Sequence, residues 1–180
     1  LVSDWSSDVC SSDLVEGFLA EVVKPKDAVI LHENSLFGTK GAKAFKKSCK
    51  KLGIKVLMTE GYEHGGIDFK PVLVKVKQMN PDLIYMISYI MDASLLMRQA
   101  RELKLTPKLF VGGAAGFTLP EFDQNAGKAA NFVVSATLWH QVLPLPGAMD
   151  YFNRFKAKYN KDTEYHGAEA YAAAYVIKDV

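Results

Sequence analysis

The sequence has few cysteines and no long apolar run. Of its two cysteines, Cys10 lies in a segment that we set aside below, so Cys49 is left without a second cysteine for a disulfide or a metal site. We therefore expect Cys49 to act as a small apolar residue on a helix. No run of about 18 apolar residues occurs, and we expect no membrane insertion.

Sequence motifs of the common enzyme classes are also missing. The sequence has no Gly-x-Ser-x-Gly elbow and no phosphate-binding loop that ends in Gly-Lys-Ser or Gly-Lys-Thr. The segment 112–116 follows an apolar run, but it lacks the Gly-x-Gly-x-x-Gly spacing and is typical of a turn that lets the backbone approach another group. The histidines are not spaced as paired metal ligands, and we interpret them as local hydrogen-bonding residues: His32, His64, His140 and His166. The sequence thus predicts no metal, no cofactor and no enzyme activity.

The first residues do not resemble natural protein. The segment 4–14, Asp-Trp-Ser-Ser-Asp-Val-Cys-Ser-Ser-Asp-Leu, is similar to one reading frame of a common short-read sequencing adapter. The alternative is a disordered tail, since a composition rich in serine and aspartate cannot bury a core. We leave residues 1–14 out of fold reasoning as a non-native tail, and expect the protein proper to enter at about Val15, past its own N-terminus. The helical pattern at Val180 leads us to expect a fragment at that end as well.

Charge does not point to a nucleic-acid partner. The chain has 22 basic and 20 acidic residues, and setting aside Asp4, Asp8 and Asp13 leaves 17 acidic residues and a net charge of +5. The lysines are spread over the outer faces of predicted helices, and no cluster of arginines or aromatic residues accompanies them. This pattern is typical of a solvated face and not of a nucleic-acid surface.

Apolar runs and helical patterns alternate along the chain. Runs without polar alternation, typical of parallel strands covered on both faces, predict strands at 28–32, 55–59, 83–87, 108–111 and 131–135. Helical spacing predicts helices at 15–23, 37–52, 69–79, 93–104, 120–126, 147–159 and 167–180. Strands that recur about every 25 residues with a helix between them predict right-handed βαβ crossovers. The predicted fold class is therefore α/β, with a doubly wound parallel sheet.

The residues that follow the strands provide the candidate ligand site, because ligands of open parallel sheets bind at the carboxyl ends of the strands. Phe37, Tyr89 and the segment 112–116 fall there, and aromatic walls with few polar atoms suit a small organic ligand. Packing beneath a loop is the alternative for each aromatic residue. Glu33 and Asp92 are candidates for acid–base chemistry or, as we favour, for capping helices and binding loop backbone.

The pattern changes after the fifth strand. Residues 137–146 are extended and contain two prolines, which is typical of a linker. The predicted helices 15–23, 147–159 and 167–180 have apolar faces but no strand of their own to cover. We expect these faces to pack on a second sheet that this sequence does not include.

Several short segments, in this order and spacing, resemble one family. They are Val29–Asn34 with Phe37–Gly38, Gly65–Phe69, Asn80–Tyr85, Leu96–Leu103, Leu109–Gly112, Asn125–Gly127 and Ala168–Ala173. Residues 15–180 resemble the periplasmic substrate-binding proteins of branched-chain amino acid ABC transporters, with the Leu/Ile/Val-binding type I fold. The resemblance implies two α/β lobes that close on a ligand. On that template 15–26 are a remnant of the first lobe and the hinge, 27–137 are the second lobe, and 138–180 are the hinge and the return into the first lobe.

The resemblance also implies where the ligand would bind. Its pocket positions fall at Phe37, at Tyr89, at Tyr165 or His166, and in the segment that contains Ala114 and Ala115. Amino-acid binders of the family use an acidic residue after the fourth strand to pair with the ligand's ammonium group, and Ala114 stands there in this sequence. A buried ammonium group without a carboxylate costs roughly several kcal/mol. Either another acidic residue takes this role, or the ligand is a carboxylate or an amide and not an α-amino acid.

The function expected from this resemblance is capture of a small ligand and its delivery to an ABC permease. The expected ligand is a branched-chain or other amino acid, or a related organic acid or amide. We expect a monomer in the periplasm, or one held outside the cytoplasm by a lipid anchor. Two alternatives use similar folds: a ligand-sensing domain of a receptor or regulator, and a flavodoxin-like enzyme, against which the missing phosphate loop argues.

Overall fold

A computed structural model of the chain describes residues 14–113 and 115–178. The chain divides into two compact units, the first extending to Ala136 and the second beginning at Thr137. Ala114 and most of the tail 1–14 lie outside the described residues. Every helix in the described ranges is too short or too polar to cross a membrane.

The first unit is built on a parallel sheet of five strands. Its strands are β1 (Asp27–Glu33), β2 (Lys55–Tyr62), β3 (Leu83–Ile87), β4 (Leu109–Gly112) and β5 (Val133–Ser135), in the spatial order β2-β1-β3-β4-β5. The helices between them are α1 (Leu36–Leu52), α2 (Lys70–Met79), α3 (Ile90–Glu102) and α4 (Pro120–Ala126). A π-helical turn, Leu19–Val23, precedes β1, and two 3₁₀ helices, Ala115–Phe117 and Gly127–Ala130, flank α4. The predicted α/β fold with a doubly wound parallel sheet is confirmed.

Both faces of the sheet are buried, as the uninterrupted apolar run of β1 predicts. Successive side chains of a strand point to opposite faces. One face carries Val29 and Leu31, which join a core that includes residues of α2, α3 and α4: Leu73, Val76, Leu96, Phe122 and Ala126. The other carries Ala28 and Ile30, which join a core that includes the π-helical turn and α1: Leu19, Ala42, Phe45 and Cys49. Cys49 is fully buried there, and its burial raises the pKa of the thiol to about 11.

Helix α1 ends at the predicted residue, Leu52, and begins one residue before the predicted start. The Ser35 side chain occupies the N-cap position and accepts hydrogen bonds from the backbone N–H groups of Phe37 and Gly38. Gly53 ends the helix in the left-handed region, with a φ of 71°, a conformation that favours glycine. These two signals fix the length of the crossover between β1 and β2.

Several predicted boundaries differ from the structure, and two of these differences bear on the candidate site. Strand β2 extends to Tyr62, beyond its apolar run, because its neighbour β1 continues to Glu33 and pairs with it there. Helix α3 begins at Ile90, so Asp92 lies in its first turn, and Tyr89 occupies the N-cap position. Asp92 therefore does not cap this helix. Its carboxylate accepts a hydrogen bond from the Gly65 N–H in the loop after β2, so the alternative prediction, that Asp92 binds loop backbone, is confirmed.

The second unit contains two helices, α5 (Ala148–Tyr159) and α6 (Tyr165–Lys178). The Tyr151 hydroxyl on α5 hydrogen-bonds the Thr163 hydroxyl before α6 at 3.0 Å, and the Tyr151 ring contacts the Tyr171 ring with 4.6 Å between centroids. None of the α6 residues is buried, and Ile177 is 77% exposed. The helices 147–159 and 167–180 predicted from spacing are thus confirmed, apart from residues 179–180, which lie outside the described part of the chain.

The packing of α3 on the sheet generates a stability prediction. Leu96 is fully buried, whereas Leu36, at the start of α1, is 71% exposed. We expect Leu96→Ala to lower the free energy of unfolding by about 2–5 kcal/mol, because it leaves a cavity in the core. Urea denaturation of this chain measures the change. Leu36→Ala is the control and should alter the free energy of unfolding by no more than about 0.5 kcal/mol; equal losses in the two variants would contradict the packing described here.

Candidate functional site

The carboxyl ends of β1, β2, β3 and β4 lie along one edge of the sheet because all four strands run parallel. The loops that leave these ends bring together residues that are far apart in the sequence. We call the described residues of the segments 33–38, 62–66, 88–92 and 112–116 the strand-end rim. Apart from Ala114, this rim contains the first-unit residues that the sequence predicts as ligand positions.

A buried carboxylate organises the end of β1. Glu33 is fully buried, and its two oxygens accept hydrogen bonds from the Ser35 N–H at 2.5 Å, the Ser35 hydroxyl at 2.5 Å and the Gly38 N–H at 3.0 Å. Burial opposes ionisation of this carboxyl, but the hydrogen bonds from Ser35 and Gly38 outweigh it and hold the pKa of Glu33 below its ordinary value. The prediction that Glu33 binds loop backbone is confirmed, and its oxygens are occupied by the protein itself.

Two predicted aromatic residues lie side by side on the rim. The Phe37 and Tyr89 rings are 6.2 Å apart between centroids and tilted by 31°. Both are about half exposed, Phe37 at 46% and Tyr89 at 44%. Phe37 is held on the first turn of α1 and Tyr89 at the start of α3, so two helix starts fix their spacing. Their open ring surfaces are available to a ligand.

A third ring, His64, joins this pair, and sequence analysis missed it. The His64 ring meets the Tyr89 ring edge-on at 5.1 Å between centroids. Its Nδ1 lies 2.8 Å from Oδ2 of Asp92, whose side chain is 1% exposed, while the His64 side chain is 59% exposed. The Gly65 N–H donates to the same carboxylate at 3.1 Å. Spacing along the chain did not reveal this pair because its members are 28 residues apart; the position of His64 in the loop after a strand was the available signal.

A hydroxyl pair ties the ends of β2 and β3 together. The Tyr62 hydroxyl donates to the Ser88 hydroxyl at 2.5 Å, and Ser88 is 1% exposed. The Tyr62 ring packs edge-on against Phe69 at 4.9 Å, and burial raises the pKa of the Tyr62 hydroxyl. This contact fixes the loop after β2, which carries His64, relative to the loop after β3, which carries Tyr89.

Close backbone approach explains the glycines at the end of β4. A Cβ placed on Gly116 would overlap the carbonyl oxygen of Ser88, and one placed on Gly113 would overlap the Tyr85 hydroxyl. Gly113 therefore packs directly on β3, and Gly116 packs on the residues that follow β3. Of the predicted ligand positions here, Ala114 lies outside the described residues, and Ala115 begins a 3₁₀ helix. Their contact with a ligand stays a prediction.

The remaining predicted positions, Tyr165 and His166, belong to the second unit. Their rings stack with 3.9 Å between centroids at the start of α6. His166 Nδ1 lies 2.6 Å from Glu164 Oε2, and the His166 backbone N–H donates to the same oxygen. Glu164 thereby orders the first turn of α6, and a role of Tyr165 or His166 in ligand binding stays a prediction.

A cavity of about 470 Å³ in the first unit lies away from the strand-end rim. It is lined by residues at the end of α3 and at the starts of β4 and β5, among them Arg101, Lys104, Leu109 and Phe132. Amino ends of parallel strands lie at the opposite edge of the sheet from the carboxyl ends. This cavity is therefore separate from the aromatic rim.

The chain belongs to the periplasmic binding protein family, whose sequence profile it matches over residues 11–180. The family consists of solute-binding proteins, which agrees with an aromatic rim at the carboxyl edge of a parallel sheet.

Several relatives of this chain are named as amino-acid-binding proteins. The chain is 31% identical, over 160 residues, to a leucine-, isoleucine-, valine-, threonine- and alanine-binding protein from Pseudomonas aeruginosa, a match that covers 89% of this chain and 42% of the relative. It is 26% identical to Leu/Ile/Val-binding protein homolog 8 of Brucella abortus, over 87% of this chain and 42% of that protein. The chain thus spans about two fifths of the length of these relatives.

Solved structures similar to this chain also include proteins named for binding branched-chain amino acids. The branched-chain amino acid transporter substrate-binding protein LivJ from Streptococcus pneumoniae, solved with isoleucine, has a TM-score of 0.74 and 26% identity, over 84% of this chain and 43% of that one. The leucine-binding protein LivK from Thermotoga maritima has a TM-score of 0.79 over 87% of this chain and 45% of that one. At 24% identity, the likeness to LivK shows the fold alone.

The contacts of Glu33 generate a prediction about stability and pH. Glu33→Gln removes one of the acceptor oxygens, and we expect it to lower the free energy of unfolding at pH 7 by about 1–3 kcal/mol. The folded pKa of Glu33 is depressed, so its contribution is present above the unfolded value of about 4.3 and is lost as the pH falls through the folded pKa. The difference in the free energy of unfolding between the parent and Glu33→Gln should therefore become smaller in acid.

Chemical denaturation between pH 7 and pH 3 measures this difference. Glu60→Gln is the matched control, because Glu60 forms an exposed ion pair with Lys75 at 3.1 Å. An exposed pair contributes about 0–1 kcal/mol, so this control should be close to the parent. If Glu33→Gln does not lower the free energy of unfolding, or lowers it by the same amount in acid, the carboxylate does not hold the loop.

Proposed function

We propose that this chain forms one side of the ligand cleft of an extracytoplasmic solute-binding protein. The observation that carries the proposal is the half-exposed aromatic pair, Phe37 and Tyr89, held 6.2 Å apart at the carboxyl edge of the sheet. Membership of the periplasmic binding protein family supports this use of the rim. The ligand is a small amino acid, or a related organic acid or amide.

The rim supports binding and not turnover. Its rings offer apolar and π surface, and aromatic side chains bury a large area for few rotatable bonds. The polar groups beneath them are already paired with one another: Glu33 with Ser35 and Gly38, and Tyr62 with Ser88. A ligand that lies on the rings gains contact area without having to displace these bonds.

The bound ligand is delivered to an ABC permease, which is the expected protein partner. A ligand that touches two lobes favours the closed arrangement of the binding protein, and a permease that distinguishes closed from open receives only loaded molecules. The names of the relatives, which describe amino-acid-binding and transporter proteins, support this partner and a location outside the cytoplasm. A monomer suffices for this mechanism.

Calorimetry tests the proposal on the protein expressed from the complete gene that encodes this chain. The panel is leucine, isoleucine, valine, alanine and threonine, together with 4-methylpentanoate and leucinamide. At least one member should bind with a 1:1 stoichiometry. Failure of every member to bind would refute the proposal that the rim receives an amino acid or a related acid or amide.

Tyr89→Ala removes half of the aromatic pair, and we expect it to weaken binding of that ligand at least about tenfold, the cost of losing one buried aromatic contact at a binding site. Tyr159→Ala is the control, because Tyr159 is 54% exposed on α5 in the second unit. It should bind as the parent does. Equal affinities of the parent and Tyr89→Ala would place the ligand elsewhere.

A further inference from the structure

The strand-end rim has a one-sided charge distribution. In the sequence, the segments 33–38, 62–66, 88–92 and 112–116 contain Glu33, Glu63 and Asp92 but no lysine or arginine. Glu33 and Asp92 are fully buried. A ligand group placed on this rim therefore sits in a negative potential, which favours a positive group over a negative one.

The two buried carboxylates are not themselves placed to meet such a group. The oxygens of Glu33 accept bonds from Ser35 and Gly38, and those of Asp92 accept bonds from the Gly65 N–H and from His64. The more exposed member of this arrangement is the imidazole of His64, with a side chain that is 59% exposed. The imidazole thus connects the buried Asp92 carboxylate to the exposed surface of the rim.

The Asp92 contact determines which nitrogen of His64 carries the proton. An ionised carboxylate only accepts hydrogen bonds, so Nδ1, which lies 2.8 Å from Oδ2, carries a hydrogen and donates it. In the neutral ring Nε2 is then left with a lone pair and acts as an acceptor. The arrangement leaves one hydrogen-bond acceptor on a ring that contacts the half-exposed ring of Tyr89.

We propose that His64 is a specificity-determining residue, whose Nε2 accepts a hydrogen bond from a primary ammonium group of the ligand. Tyr89, which contacts the His64 ring, and its neighbour Phe37 add a cation–π attraction to that group. Asp92 is a positioning residue, which sets the tautomer and the orientation of the imidazole. This inference rests on the proposed function and narrows it to ligands that carry an amine.

The first experiment observes the tautomer directly in this 180-residue chain. Two-dimensional ¹H–¹⁵N spectra of the imidazoles distinguish a protonated Nδ1 from a protonated Nε2, and neutral His64 should show the Nδ1–H form. In Asp92→Asn the carboxamide can donate as well as accept, so this preference should be lost while the amide spectrum still reports a folded chain. Asp150→Asn, at an exposed carboxylate, is the control and should leave the tautomer unchanged.

An Nε2–H form of neutral His64 in the parent, or an unchanged tautomer in folded Asp92→Asn, would overturn the assignment of Asp92. Loss of folding in Asp92→Asn leaves the parent spectrum as the deciding measurement. Neither result depends on a ligand, so this experiment can fail while the proposed function stands.

The second experiment compares leucine with 4-methylpentanoate, which has the same side chain and carboxylate but no amine. Calorimetry uses the protein from the complete gene. Leucine should bind the parent at least tenfold more tightly. His64→Phe keeps an aromatic ring but removes the acceptor, and should weaken leucine binding about ten- to hundredfold, the range for a hydrogen bond to a charged group. It should leave 4-methylpentanoate nearly unchanged.

A second histidine completes the test. His140→Phe, at an exposed histidine of the second unit, should match the parent throughout. This inference alone is refuted if His64→Phe does not weaken leucine binding, or if 4-methylpentanoate binds as tightly as leucine. If no member of the panel binds at all, the proposed function is refuted as well.

Discussion

The strand-end rim depends on one buried carboxylate, that of Glu33. Removing an ionised group from water costs several kcal/mol unless hydrogen bonds replace its hydration. Here the Ser35 N–H and hydroxyl and the Gly38 N–H supply them. Since Gly38 lies in the first turn of α1, these bonds attach the start of the helix to the end of β1. A Cβ at Gly38 would overlap Glu33, so this close approach requires glycine. The position of Phe37, one residue earlier, follows from the same constraint.

The other side of the rim is held by side chains that connect neighbouring loops. Tyr62 bonds Ser88 and so joins the ends of β2 and β3, while His64 and the Gly65 N–H both bind Asp92 at the start of α3. Each connection bridges two different crossovers, so the loops cannot shift independently without breaking a buried polar contact. A rim fixed in this way is preorganised, and a ligand has less side-chain and loop ordering to offset when it binds.

The sequence predicted the sheet and failed on the partners of its polar residues, for a physical reason. Burial on both faces of β1 leaves an uninterrupted apolar run, and helix signals such as Ser35 and Gly53 act over a few residues, so both can be recognised locally. The His64–Asp92 contact spans 28 residues and exists only because β2 and β3 flank β1 in the sheet. Asp92 looked like a helix cap for the same reason: its actual partner comes from another crossover. Half-exposed Phe37 was predictable as a strand-end residue, but its distance from Tyr89 was not.

Most polar side chains of the rim are committed to contacts within the protein. The Ser35 hydroxyl donates to Glu33, the Ser88 hydroxyl accepts from Tyr62, and the thiol of Cys49 lies in the core with a pKa raised to about 11. These polar atoms thus serve the internal structure, whereas the rings of Phe37 and Tyr89 are about half exposed. The fold leaves apolar surface exposed on loops that it holds fixed. A small molecule that covers this surface removes it from water, which favours binding.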